Sequence, residues 1–241
     1  MAKSQLNEMK LVHRQVYKVD LGNAASKASR GLPSPAQAKM IKPKFIYFDV
    51  GGVLLHFEHI RQLIAENLGI PLKDYLTVLS SFQPALAEGK VTEVDVELEL
   101  KRRFNLDFPP NFYADSHWVD KFIPIKEMQA LVVKLSHHYR LGLLTNVTKL
   151  VWDRAQTIPG MYPEVDYEVK IKSFEVGLAK PDPKIYELAI KEVGLEPSKI
   201  MLIDDLADNI QAASDLGMQT YRFDTNNYIK EADYLSKLLL S

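Results

Sequence analysis

Asp49 closes the apolar run "FIYFD" and is followed almost at once by Gly51-Gly52; Thr145-Asn146 closes "RLGLLTN"; Asp204-Asp205 closes "KIMLIDD". A carboxylate at the end of a buried strand can act as a nucleophile. A hydroxyl–amide pair can donate hydrogen bonds, and two adjacent carboxylates can hold a hard cation. If the three strand ends meet, these groups form an oxygen cage suited to Mg²⁺, with room beside it for a phosphate.

The elements that must bring them together can be read from the apolar pattern. Residues 45–50, 140–146 and 199–205 are short buried strands, a weaker strand is predicted at 166–171 and a further strand at 219–224. Helices are predicted over 128–139, 149–157, 182–194, 206–218 and 228–240, the third ending at Gly194. Strand–helix alternation with unbroken apolar strands means a parallel sheet with helices on both faces, which binds its ligands beyond the carboxyl ends of the strands. The stretch from 57 to 122 interrupts this alternation and reads as helical. Ile60, Leu63, Ile64 and Leu68 share one face, and Tyr75, Leu76, Leu79 and Phe82 another. Val94, Val96, Leu98 and Leu100 alternate as a strand would, yet 91–100 is read as helix.

Composition narrows the chemistry further. The 241 residues include no cysteine, which excludes disulfides, thiolate metal sites and cysteine nucleophiles. No apolar run approaches the length of a membrane span. Residues 1–44 carry nine Lys/Arg against Glu8 and Asp20, whereas the rest of the chain carries a net charge of −8. An acidic body argues against nucleic acid as the substrate.

The basic leader, residues 1–44, lacks the apolar segment of a secretory signal. It reads as a flexible arm containing the linker-like "GNAASKASRGLPSPAQ", with an organellar transit peptide as the alternative to a cytoplasmic location. Residues 1–39 are expected to be dispensable to the core. The sequence leaves the oligomeric state open.

"FDVGGVL", "LGLLTN", "EVGLAKPDPKIY" and "MLIDDLADNIQAASDLGM", in this order and spacing, resemble the haloacid dehalogenase superfamily of phosphatases and related hydrolases. The similarity runs from about Phe45 to Asp224. It implies an α/β fold: a Rossmann-like core (45–56 and 123–241) with an inserted small helical cap (57–122). It also implies that Asp49 is the nucleophile and forms an aspartyl-phosphate with a small phosphorylated metabolite. Thr145, Asn146 and Lys180 would bind the phosphoryl oxygens. Mg²⁺ would be held by Asp49, the Gly51 carbonyl and Asp205, with Asp204 in support. Asn209 would brace the loop. His56 and His59 are expected on the flap or against the cap, and Trp118 in packing.

One position departs from the family pattern. Most phosphatases of this type carry a second Asp two residues after the nucleophile, which protonates the leaving oxygen; here Gly51 stands there. The resemblance therefore leaves two other readings beside the phosphatase. One is a catalytically weak protein that uses the fold for binding or regulation. The other is a 2-haloacid dehalogenase, although that branch usually shows an aromatic and then Gly-Thr after the nucleophile, whereas this chain reads Val50-Gly51-Gly52-Val53.

Overall fold

A computed structural model describes residues 42–115 and 118–241. Five parallel strands form the central sheet: β1 (Phe45–Phe48), β4 (Arg140–Thr145), β5 (Val169–Lys172), β6 (Ile200–Asp204) and β7 (Gln219–Arg222), in the spatial order β5-β4-β1-β6-β7. β1 lies at the centre, with Phe45 opposite Arg140 on one side and Ile200 on the other. The remaining two strands, β2 (Leu55–His56) and β3 (Ile123–Pro124), pair antiparallel as a separate ribbon.

The period-two geometry of strands divides each apolar run between two cores. Ile46, Phe48, Leu141, Leu143, Met201 and Ile203 face the helices Lys126–Ser136 and Tyr228–Leu240. Phe45, Tyr47, Leu144, Ile200 and Leu202 face the helix Pro183–Val193 and Ala213. Gly142 also belongs to the second face: a Cβ there would lie 2.7 Å from the Tyr47 ring and 2.8 Å from the Phe45 ring. Two buried aromatics thus take up the space that any side chain at 142 would need.

Between the ribbon strands, the helices Glu58–Leu68, Leu72–Ala87 and Glu93–Phe104 gather around their own apolar cluster, centred on Ile64, Tyr75, Val78, Val96 and Leu100. The 91–100 alternation resolves as a helix with two apolar sides. Val96 and Leu100 are buried, while Val94 and Leu98, also four apart, face solvent. Asp95 starts this helix by accepting a hydrogen bond from the Thr92 N–H at 2.7 Å. Trp118 packs against Phe112 with ring centroids 5.9 Å apart, as expected of a packing residue.

The proposed leader lies almost wholly outside the described residues. Its last three residues are tied to the core: Pro43 is buried, the Lys44 N–H donates to Lys199 O at 2.7 Å, and Lys42 Nζ donates to Ser241 O at 3.2 Å. No helix among the described residues is long and apolar enough to cross a membrane.

Candidate active site

Parallel pairing aligns the strand ends. Asp49 follows β1, Thr145 ends β4, and Asp204 ends β6 with Asp205 just beyond it. Their convergence follows from register: Phe48 lies opposite Leu143 in β4 and Ile203 in β6. Carboxylate oxygens of Asp49, Asp204 and Asp205 come within 4.8 Å of one another.

Lys180 reaches this cluster from the loop before the helix Pro183–Val193. Its Nζ lies 2.6 Å from Asp204 and 3.1 Å from Asp49, and the whole side chain is buried. Burial opposes its charge, but Asp204 and Asp49 outweigh burial and hold the ammonium above its ordinary range. Burial raises the Asp49 carboxyl to about 6; Lys180 opposes the rise, Asp204 adds repulsion, and the Val50 N–H, 2.7 Å away, also opposes it. Asp205 is pushed up to about 8 by burial and then by the charges of Asp49 and Asp204.

Asp204 is fully occupied by the protein. Besides Lys180, it accepts from Asn209 Nδ2 at 3.0 and 3.1 Å and from the Leu206 N–H at 2.9 Å. Asn209 therefore braces the loop through a carboxylate. Asp49 and Asp205 keep open lone pairs, and among the described residues no hydrogen bond engages the Gly51 carbonyl. Three carboxylates surround a single ammonium, so the cluster is short of positive charge, and its donors are all oxygen. This donor set fits Mg²⁺.

Asn146 differs from expectation in what its side chain does. Its amide pairs with the Lys180 backbone in both directions: Nδ2 donates to the carbonyl at 2.8 Å, and Oδ1 accepts from the N–H at 2.9 Å. It thus joins the two loops that carry Thr145 and Lys180. Thr145 is buried and its hydroxyl has no partner among the described residues. Ser173, absent from the sequence reading, fixes the next residue: its Oγ accepts from the Val147 N–H at 3.0 Å.

The turn after Asp49 depends on Gly52. Its φ is +75°, and a Cβ there would fall 2.6 Å from Asp205 Oδ2, so the backbone can approach the carboxylate cluster only without a side chain. Gly51 does not have a left-handed φ. A Cβ at 51 would instead lie 2.7 Å from Cε1 of Phe57.

The cluster opens into a cavity of about 290 Å³ between the sheet and the helical insertion. Asp49, Gly51, Thr145, Asn146, Lys180 and Asp205 line one end; Arg61, Tyr75, Gln83 and Glu93 contribute from the insertion. The Thr148 hydroxyl donates to Glu93, joining the two walls. Neither His56 nor His59 lines the cavity. The His56 ring packs edge-on against Tyr228 with centroids 5.4 Å apart, and His59 Nε2 lies 3.0 Å from Lys121 O.

The chain is similar to several known proteins. The chain is 34% identical to pig (Sus scrofa) bifunctional epoxide hydrolase 2 over 141 residues, 54% of this chain but only 25% of that protein. The matched region is thus a quarter or less of each of the first curated relatives. It is 24% identical to D-ribitol-5-phosphate phosphatase from Bacteroides thetaiotaomicron, covering 74% of this chain and 91% of that enzyme. A HAD family enzyme from the same organism, solved with magnesium and inorganic phosphate, superposes with a TM-score of 0.61 at 20% identity, covering 76% of this chain and 95% of that one. The family model for haloacid dehalogenase-like hydrolases matches residues 43–217, and the chain belongs to that family.

Proposed function

We propose that this hydrolase is a phosphatase acting on a small phosphorylated metabolite, with Asp49 as nucleophile. The observation that carries the reading is the buried Asp49–Lys180–Asp204 chain facing the cavity: Lys180 binds both carboxylates, leaving one cation poised beside the attacking oxygen. The D-ribitol-5-phosphate phosphatase relative lends support at the level of reaction type.

An Asp49 carboxylate oxygen attacks phosphorus, and the bond from phosphorus to the leaving oxygen breaks. Water then attacks phosphorus, restoring the carboxylate and releasing inorganic phosphate. Lys180 and the Thr145 hydroxyl supply positive charge and a hydrogen bond to the phosphoryl oxygens, while the Asn146–Lys180 pairing keeps these groups in register. Asp49, the Gly51 carbonyl and Asp205 would hold Mg²⁺, with Asp204 in support through the loop. Such a cation supplies charge neutralisation between the phosphate and the carboxylate.

Gly51 offers no proton to the leaving oxygen, so leaving groups that depart unaided suit the site: acyl phosphates before alkyl esters. The same glycine favours a second reading, a weak catalyst that mainly binds its ligand. Turnover of acetyl phosphate and of p-nitrophenyl phosphate, with Mg²⁺ and with EDTA, separates the two. Metal-dependent multiple turnover supports the phosphatase; phosphate binding without turnover supports the binding protein. Metal-independent release of chloride from 2-chloropropionate would point instead to dehalogenation.

A further inference from the structure

We propose that the group carried by the phosphate is an apolar chain and not a polyol. This rests on the phosphatase reading of Asp49 and follows from what the cavity presents beyond it. Tyr75, Leu79, Gln83 and Leu86 lie along one side of the helix Leu72–Ala87 and line the cavity in sequence. Phe57 and Phe122, tilted against each other with ring centroids 5.5 Å apart, flank it where the chain crosses into and out of the insertion, and Val151 lines it from the sheet side.

The polar groups that reach the cavity from the insertion and its approach are largely engaged. Glu93 accepts from Thr148. Glu58 accepts from the Phe57 N–H at 3.4 Å, and the Arg61 guanidinium lies 5.5 Å from the centre of the Phe57 ring. Gln83 is the exception, an amide with no hydrogen bond among the described residues. One amide can serve two or three polar atoms of a ligand. It cannot replace the water around four or five hydroxyls, and each hydroxyl buried without a partner weakens binding.

An apolar chain meets the opposite situation. Each methylene moved from water to this surface should tighten binding about three- to fourfold until the cavity is filled. The missing acid at position 51 adds a second constraint, because the leaving oxygen must depart without a proton. An acyl phosphate with an aliphatic chain satisfies both.

The test is calorimetric titration of the full chain with methyl-, butyl- and octylphosphonate and with glucitol 6-phosphate, all in Mg²⁺. Butylphosphonate should bind about thirtyfold tighter than methylphosphonate and tighter than the polyol phosphate. kcat/KM should likewise rise from acetyl to butyryl to octanoyl phosphate. Leu79→Gln should flatten the series; a thermal melt checks its fold, and the native series decides the matter if it does not fold. Equal affinity across the phosphonates, or tighter binding of the polyol, overturns the inference. If acetyl phosphate is still turned over in that case, the phosphatase reading survives and only the apolar chain is lost. Failure to bind any phosphonate or phosphate overturns both.

Discussion

The Phe57 ring occupies the space into which a side chain at residue 51 would project, with Cε1 2.7 Å from the position of a Cβ. Residue 51 lies two positions after the candidate nucleophile and Phe57 six positions further along. Glycine and phenylalanine are therefore a matched pair: the ring fills what the glycine leaves. Because φ at Gly51 is not left-handed, the backbone admits an aspartate and only the ring opposes it.

Gly51→Asp alone should consequently lower the melting temperature, as the ring is forced aside. Gly51→Asp combined with Phe57→Leu should recover most of that loss and raise turnover of ethyl phosphate by about 10²-fold or more. Acetyl phosphate turnover should change little, since its leaving group needs no proton. A folded double variant without this selective gain shows that position 51 does not limit leaving-group departure.

Asp49→Asn should bring acetyl phosphate turnover to background, because the amide is not a nucleophile at phosphorus. Circular dichroism should show the fold retained. Turnover that survives the substitution rules out the aspartyl-phosphate route.

Under the proposed reading Mg²⁺ binds the folded carboxylate cluster and not the unfolded chain, and so should stabilise the protein. At a hundredfold excess over its dissociation constant the gain is about 2.7 kcal/mol, which corresponds to roughly 5–10 °C for a chain of this size. Asp205→Asn should remove most of that shift in a thermal melt. An equal shift in the variant places the ion elsewhere.

Glu93→Ala removes the side-chain bond that joins the insertion to Thr148. Its melting temperature should fall by only a few degrees, whereas KM for acetyl phosphate should rise several-fold more than kcat changes. The opposite split, with kcat lost and KM kept, would give Glu93 a role in the chemical step.

Tyr47 and Tyr186 are both fully buried but differ in hydrogen bonding. Tyr47 donates to Ala189 O at 3.0 Å, whereas the Tyr186 hydroxyl has no partner among the described residues. Tyr47→Phe should cost about 1 kcal/mol, roughly 2–4 °C. Tyr186→Phe should leave the melting temperature unchanged or higher. Equal losses at both sites would mean that a water or an unseen partner satisfies Tyr186.

The middle of the sheet was legible in the sequence because buried parallel strands are short apolar runs, and the runs of β1, β4 and β6 lead straight into the polar residues that reach the site. Asp49, Thr145, Asp204 and Asp205 could be placed on that basis alone. The second role of Asn146 could not: its amide binds the backbone of Lys180, 34 residues away, and no local pattern encodes that. The cavity's outer wall was also hidden. Tyr75 and Leu79 shared a predicted apolar face, but which neighbours look inward depends on how the helix docks. Phe82 on that same face, and Glu88 and Lys90 nearby, lie off the cavity, whereas Gln83 and Glu93 line it. The alternation at 91–100 misleads for a related reason, since a helix with apolar residues on both its buried and its exposed side imitates a strand.

The ribbon pairs Leu55 with Pro124 and His56 with Ile123, so the chain leaves the sheet layer and returns to it at one spot. Whatever lies between those two pairs is fastened like a cassette in a frame. An insertion of another length or sequence could be exchanged there without shifting Asp49 or the strands behind it. On the proposed function, ligand preference and reaction chemistry would then be written in separate stretches of one chain, and a laboratory graft across Leu55–Pro124 would rewrite the first while sparing the second.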